Sequence, residues 1–435
     1  MKESPKFIIP QYVSEVLTQL VRYGYKAYVV GGCVRDTLLG REPADWDVCT
    51  SATPEEMLTV FRRFRVFKTG LKHGTLTVRS RGQSVEVTTF RTDGSYADNR
   101  HPDAVTFVTN VEDDLSRRDF TINAMAYHPD SGFVDAFGGR QDLAEHTLRC
   151  VGEPDVRFCE DGLRILRALR FAARFQFNVE RETAYAIHRN RHLLENISAE
   201  RIYKELQGIL VAPGAGDMLV AFPDVFATIL PELEPLIGCI RGEEDLWAHT
   251  VRAVCAAPPD FALRFTMLMH ELASPPAACR MPAFETAKKV MQGRLKSDNA
   301  TINTVTALLR EFDTPLPDTA PAMRRFIGRV GEESVRKLLT LRQAHLRISP
   351  DETAASALRK AALLEDLVLE EQPHAFTTAD LAISGQDIIG LGLSPGRALG
   401  NILKTLLDEV QDEKLSNTTS ALLLRAEQLV TSQQH

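Results

Sequence analysis

The spacing of hydrophobic positions changes once along the chain, near residue 150. An amphipathic stretch over 12–23 leads into Lys26-Ala-Tyr-Val-Val30, a short β-rich run stopped by Gly31-Gly32, and the pattern predicts a new helix from about Val34. Residues 46–49, 75–79, 84–90 and 104–108 are rich in Val, Thr and Phe and read as further strands. Beyond Cys150 the apolar residues recur at helical spacing over 161–175, 182–192 and 199–211. Pro213-Gly214, Pro258-Pro259, Pro275-Pro276 and 315–321 supply breaks between later helices. No fixed-period repeat or low-complexity tract suggests a solenoid. The expected architecture is an α/β head over 1–150 followed by a long all-α remainder.

Length and composition narrow the class. At 435 residues the chain is long enough for three or four cores, and 44 % hydrophobic with 25 % charged residues is the balance of a folded globular protein. No stretch approaches the apolar length of a membrane span, and the opening Met-Lys-Glu-Ser-Pro-Lys lacks the apolar core of a secretory signal. A cytoplasmic protein is therefore expected. The seven cysteines are scattered without a C-x-x-C pair, so reduced, mostly buried thiols are expected and a disulfide framework is not. The net charge of -7 argues against indiscriminate coating of nucleic acid. The charge is uneven, however, and residues 61–101 carry nine Lys or Arg against three acids. The first half thus holds basic ground for a polyanion.

Several short motifs carry candidate chemistry. Gly31-Gly32-Cys33-Val34-Arg35-Asp36 ends a strand with two glycines, so backbone can approach a ligand, and the following helix offers N–H groups and Arg35 to phosphate oxygens. Alone, such a junction is usually a tight turn. Asp45-Trp46-Asp47 leads into a strand, where residues two apart share a face, so both carboxylates can converge on Mg²⁺, which takes one or two carboxylates beside water and phosphate. In 84–90, Val85, Val87 and Thr89 share one strand face; Glu86 lies on the other, as a third carboxylate or a solvent-facing one. Arg117-Arg118-Asp119-Phe120-Thr121-Ile122-Asn123 sets Arg118 as a grip for phosphate, with Asp119 and Asn123 able to bond ribose hydroxyls.

Glu160-Asp161-Gly162-Leu163-Arg164 continues to Arg167 and Arg170. On one helix Asp161 and Arg164 would be neighbours, with Arg167 and Arg170 along the same ridge. An Arg donor beside an Asp acceptor matches the edges of cytosine and adenine, each an acceptor next to an amine, and mismatches uracil and guanine.

In order, G-G-x-V-R-D, D-x-D, E-V-T-T-F-R, R-R-D-F-T-I-N-A, D-x-F-G-G (135–139), E-D-x-x-R and E-R-I (200–202) resemble the bacterial class II tRNA nucleotidyltransferases. These CCA-adding enzymes belong to the DNA polymerase β-like nucleotidyltransferase superfamily. The resemblance implies a polymerase β-like head (1–150), a helical neck reading the base (151–212), a helical body (213–350) and a tail (351–435), the last two holding the acceptor stem and T arm of tRNA. It further implies that Asp45 and Asp47 bind Mg²⁺ with Glu86 as third acid. Gly32 and Arg35 would contact the triphosphate, Arg118 the sugar-phosphate region, Asp161 and Arg164 the base, and Arg167 and Arg170 the nucleotide site. CTP and ATP would be the substrates. The segment 91–102 resembles the loop of members that add the whole CCA sequence.

Three rivals remain in view. Bacterial poly(A) polymerases share head and neck motifs but carry a basic extension, whereas Asp408, Glu409, Asp412 and Glu413 make this C-terminal region acidic. CC-only or A-only enzymes are near variants, and a non-catalytic tRNA-binding protein would be expected to lose its acidic pair. An HD-type phosphohydrolase is suggested by His249 and by His270-Glu271, with Glu where Asp is expected. Lacking a ligand, that region reads as a decayed, structural body.

Overall fold

The computed structural model describes residues 7–94, 105–273, 281–370 and 375–433. It divides into two compact units, Met1–Glu234 and Pro235–His435. The first unit is built on a mixed seven-stranded sheet. Its strands are β1 (Ala27–Val30), β2 (Asp47–Thr50), β3 (Arg65–Gly70), β4 (Thr75–Ser80) and β5 (Gln83–Thr89), with Ala126–His128 and Gly132–Val134. The spatial order is β3-β4-β5-β2-β1, then Ala126–His128 and Gly132–Val134. Only β2 and β5 run parallel among these neighbours, in a register that sets Asp47 beside Glu86.

Alternation along the strands decides which side faces the core. Val85 and Val87 of β5 are fully buried with Val29 and Val48, while Glu86 is exposed on the other face. The amphipathic α1 (Gln11–Arg22) buries Val13, Val16, Leu17 and Leu20 and packs on β1, β4 and β5. Besides four two-residue strands, the hydrophobic pattern missed β3, Ala126–His128, Gly132–Val134 and Arg91–Asp93, the last of which pairs with Val105–Phe107 outside the main sheet. β3 is an edge strand whose Arg65, Phe67 and Lys68 are exposed, so it lacks the apolar signal of a central strand.

Helices follow the sheet within the same unit: α2 (Gly32–Leu38), α3 (Pro54–Val60), α4 (Val111–Ser116), α5 (Gly139–Ala144), α6 (Pro154–Glu160), α7 (Leu163–Phe175), α8 (Arg181–Asn190) and α9 (Ala199–Leu210). The second unit is helical except for the two-residue strands Ile240–Arg241 and Glu244–Asp245. Helices Leu246–Ala256, Phe261–Met269, Asn299–Glu311 and Glu332–Leu346 pack together in it. A separate core of Ile388, Ile402, Leu406, Leu422 and Ala426 holds the last three helices. No helix among the described residues is long and apolar enough to cross a membrane. Six cysteines are free, but only Cys33, Cys49 and Cys150 are buried, so the expectation of mostly buried thiols holds for half of them; Cys279 lies outside the described residues.

The D-x-F-G-G motif is a brace for the segment 121–123. Asp135 accepts hydrogen bonds from the N–H groups of Gly139 and Arg140 (2.7 and 2.9 Å), satisfying the start of α5. Gly138 adopts a left-handed conformation (φ 75°), and Gly139 lies so close to the Thr121 carbonyl oxygen that a Cβ would collide with it. Gly139→Ala should therefore destabilise the protein by about 1–3 kcal/mol, read as a lower thermal midpoint, although alanine normally favours a helix.

Candidate active site

Asp47 opens β2 at the point where β1 turns into α2. Asp47 and Glu86 occupy paired positions of adjacent parallel strands, an arrangement of like charges that disfavours the sheet. Burial pushes the Asp47 carboxyl up to about 6, and the negative charges of Glu86 and Asp45 act in the same direction, opposed by Arg118. Asp45 and Glu86 are exposed and Asp47 is half-buried, so the cluster has both solvent access and a sheltered member. This donor set fits a divalent cation, because two hard carboxylates whose repulsion goes uncompensated gain most from one. Among the described residues, the one group of three ligand-type side chains within 4.8 Å of one another lies elsewhere, in the second unit, so the head offers a pair of aspartates with Glu86 as a flanking acid.

Gly31 explains how a cation reaches this corner. It adopts φ 79°, and a Cβ on it would come within 2.9 Å of Arg118 Nη1. Arg118 is oriented from the other side by Asp114, whose Oδ2 accepts from Nη2 at 3.3 Å. Burial raises the Asp114 carboxyl, but the guanidiniums of Arg118 and Arg117 outweigh that and hold it below the ordinary carboxylate range. Gly32 begins α2, with Arg35 Nη2 3.6 Å from where its Cβ would be.

Arg35, expected to contact a triphosphate, is also bound into the protein. Its side chain is only 6 % exposed and is committed on every side: Nε donates to Asp36 Oδ1 (2.8 Å), Nη1 to Asn123 Oδ1 (2.5 Å), and the guanidinium lies over the Phe175 and Phe171 rings at 4.8 and 5.2 Å. Arg35 therefore braces the turn that leads into α2. Asp119 and Asn123 are likewise buried and mutually bonded, since Asp119 Oδ1 accepts from Asn123 Nδ2 at 3.0 Å.

Asp119 instead ties the segment 117–123 to α7. Its Oδ2 accepts from Arg167 Nε and Nη2 at 3.0 and 2.7 Å. Burial alone would raise this carboxyl, yet the Arg167 charge and the hydrogen bonds from Asn123 and Arg167 bring it down to about 2. Arg118 and Asp119 are consecutive, so one residue faces the acidic cluster while the next anchors α7.

The neck departs from the expected helical ridge. Asp161 does not lie in α7; it ends α6 in an extended conformation (φ -145°, ψ 104°), and Gly162 starts the next helix because a side chain there would press on Leu193. Asp161 and Arg164 make no pair. Asp161 accepts from the Leu163 N–H (3.0 Å) and from Arg201 Nη2 (2.7 Å). Arg164 donates to Glu160 Oε2 (2.5 Å) and to the carbonyls of Arg157 and Arg117 (3.2 and 3.1 Å). Arg170 donates to the buried Glu205 of α9 at 2.5 Å, and its stem packs where Gly208 has no side chain. Arg201, Glu160 and Glu205 were not singled out from sequence. The E-R-I motif held the signal for Arg201, but its partner is 40 residues away. Of the segment 91–102, residues 95–102 lie outside the described residues.

Comparison with known proteins gives a consistent result. A family model for the Poly A polymerase head domain matches residues 27–149, one for the "Probable RNA and SrmB- binding site of polymerase A" matches 176–237, and one for tRNA nucleotidyltransferase domain 2 matches 279–426. The chain is 35 % identical to the CCA-adding enzyme of Lactobacillus helveticus over 407 residues, 94 % of each chain. It is 36 % identical to that of Lactobacillus delbrueckii subsp. bulgaricus over 414 residues, 94 % of this chain and 95 % of the relative. The crystal structure of the Bacillus stearothermophilus CCA-adding enzyme in complex with CTP matches with a TM-score of 0.74 and 28 % identity, covering 98 % of this chain and 99 % of that one.

The raised Asp47 carboxyl has a measurable consequence. A carboxyl whose folded pKa exceeds its unfolded value costs the fold stability once it ionises, so the penalty grows from about pH 4 to pH 6 and is full above that. Asp47→Asn should stabilise the metal-free protein by on the order of 1–3 kcal/mol above pH 6, with no gain below pH 4, as read by thermal unfolding in a chelator.

Proposed function

The chain belongs to the CCA-adding enzymes, and from that premise we propose that Asp45 and Asp47 are its catalytic carboxylates and that Asp161 and Arg164 read the incoming base. The protein adds CCA to the 3' end of tRNA from CTP and ATP. What carries the residue assignment is the Asp47–Glu86 register together with Arg118 beside it and Asp119 bonded to the neck helix. Sequence proximity alone would not bring these groups together.

In the reaction the terminal tRNA 3'-hydroxyl attacks the α-phosphorus of the nucleotide in line and pyrophosphate leaves. Asp45 and Asp47 would hold Mg²⁺, which supplies charge neutralisation at the attacking and leaving oxygens. Arg118, fixed by Asp114 and facing Gly31, donates to the triphosphate, and the Gly31-Gly32 backbone lets that group approach α2. Gly32 and Arg35 contact the triphosphate in this reading, and Arg35 also holds the turn through Asp36 and Asn123.

Base choice follows from unfilled capacity in the neck. Arg164 has three N–H bonds to Glu160 and two carbonyls, leaving two of its five donors. Asp161 keeps acceptor sites beyond those given to Leu163 and Arg201. A donor and an acceptor so restrained match cytosine and adenine, and a base of reversed polarity leaves them unpaired at a cost in the transition state. Arg167 and Arg170 belong to the nucleotide site in this reading, and their bonds to Asp119 and Glu205 hold α7 in place. The division into head, neck, body and tail and the cytoplasmic setting belong to the same reading. The long-range identity to CCA-adding enzymes and the acidic C-terminal region favour tRNA over generic RNA as substrate, against poly(A) polymerase.

The deciding experiment supplies tRNA lacking its CCA end with CTP, ATP or both and resolves products by single nucleotides. Two additions with CTP and three with both are expected; a long adenosine run on any RNA would reject the assignment. Asp47→Asn should abolish incorporation while leaving tRNA affinity nearly unchanged. Arg201→Ala, which frees Asp161, should reduce the preference for C and A over U and G by roughly 10-fold or more, measured by competing the four triphosphates, with little change in triphosphate affinity.

A further inference from the structure

Away from the head, the second unit gathers three imidazoles that are remote in sequence. His249 lies in the helix Leu246–Ala256, His270 follows Phe261–Met269, and His345 lies near the end of Glu332–Leu346. Their ring centroids form a nearly equilateral triangle with sides of 5.2, 5.4 and 5.5 Å. One ligand nitrogen from each ring falls within 4.8 Å of the others, and His249 Nε2 and His345 Nε2 are 3.2 Å apart.

These separations are those of ligands around one ion. With zinc–nitrogen bonds of about 2.05 Å, a tetrahedral arrangement puts ligand nitrogens about 3.3 Å apart and the ring centroids about 5 Å apart. The outer nitrogens are already engaged. His249 Nδ1 lies 2.8 Å from Glu244 Oε1, and His270 Nδ1 lies 2.6 Å from the Met267 carbonyl oxygen, an acceptor that fixes the proton on Nδ1. Both rings therefore turn an unprotonated Nε2 inward, as ligating histidines with a hydrogen-bonded outer nitrogen do. One proton on His345 Nε2 can serve His249, but His270 Nε2 is buried with no hydrogen-bond partner.

Glu271 completes the surroundings. Its Oε1 is 3.4 Å from His249 Nε2 and 3.6 Å from His270 Nε2, while Arg241 holds both carboxylate oxygens at 2.9 and 3.1 Å. His345 also lines a cavity of about 390 Å³ with Phe312, Asp313, Leu316, Arg342 and Leu358. The sequence reading of this region as purely structural rested on a missing ligand beside His249 and His270. His345, 75 positions after His270, supplies a third.

We propose that His249, His270 and His345 form a site for one divalent transition-metal ion of the zinc class, bound through their Nε2 atoms with a fourth position open. Glu244 orients His249, and Glu271 with Arg241 balances charge beside the ion. Carbonyl and carboxylate donors suit magnesium, whereas three imidazoles select zinc, cobalt or nickel. The site is thus chemically distinct from the acidic pair of the head.

The test uses the full-length protein carrying Asp45→Asn and Asp47→Asn, so that the head carboxylates do not compete. Titration with Co²⁺ should give the intense visible absorption of a low-coordinate ion, saturating at one equivalent and displaced by Zn²⁺. His345→Gln should remove the signal. Glu244→Gln, which keeps all three imidazoles, should weaken Co²⁺ binding about 10–100-fold, and circular dichroism would verify that both variants are folded. In the otherwise unaltered protein, His345→Gln should leave nucleotide incorporation intact, which separates this site from the catalytic one. Failure to take up one equivalent, or uptake unaffected by either substitution, would overturn the proposal.

Discussion

The ion pair between Asp119 and Arg167 is the contact on which the catalytic geometry depends. Its carboxylate is buried and accepts two bonds from one half-buried guanidinium, and further bonds from Asn123 and the Phe120 N–H fill the remaining acceptor sites. Removing two charges from water is unfavourable, and such a pair holds only where its hydrogen bonds are complete. Here completeness also fixes position. Asn123, which bonds Asp119, is the acceptor for Arg35, and Arg35 lies against the aromatic rings of α7. The turn at Gly31, the segment 117–123 and the neck helix are thereby one cooperative network, and loosening one member leaves buried partners unsatisfied in the others.

Beside this satisfied network stands an unsatisfied one. Asp47 and Glu86 are paired across adjacent strands with Asp45 close enough to add its charge, and only Arg118 opposes them. A sheet optimised for stability alone would not place acids there. The conflict between local stability and arrangement is the mark of a site whose complement arrives with the substrate and its cation. Arg118 and Asp119 divide the two regimes between neighbouring positions: one residue serves the frustrated cluster, and the other serves the frame.

Much of the frame was legible in the chain. The two-residue period of 84–90 placed Glu86 opposite Val85 and Val87, and the change of period after Cys150 marked the helical region. The adjacency of Asp47 and Glu86 was not legible, because strand register is a long-range property that periodicity does not encode. The protein partners of Asp119, Asn123 and Arg35 were not legible, because a polar side chain looks the same in a sequence whether or not a buried neighbour bonds it. Asp161 was placed on the helix because the pattern of Arg164, Arg167 and Arg170 extends smoothly backwards, and the extended backbone at Asp161 interrupts it. Arg201 and His345 escaped for a shared reason: each meets its partners only after the fold brings distant helices together.

The enclosure of Arg35 has a consequence for how the protein responds to its medium. Mobile ions screen exposed charges over roughly 8 Å at physiological ionic strength and act far less on buried ones. Arg62, Arg63, Arg65 and Lys68 stand in solvent, whereas Arg35 is sealed between Asn123, Asp36 and two phenyl rings. Rising salt therefore weakens the long-range pull on a polyanion while the internal scaffold keeps its shape, so that capture is tuned by electrolyte and the architecture of the active corner is not.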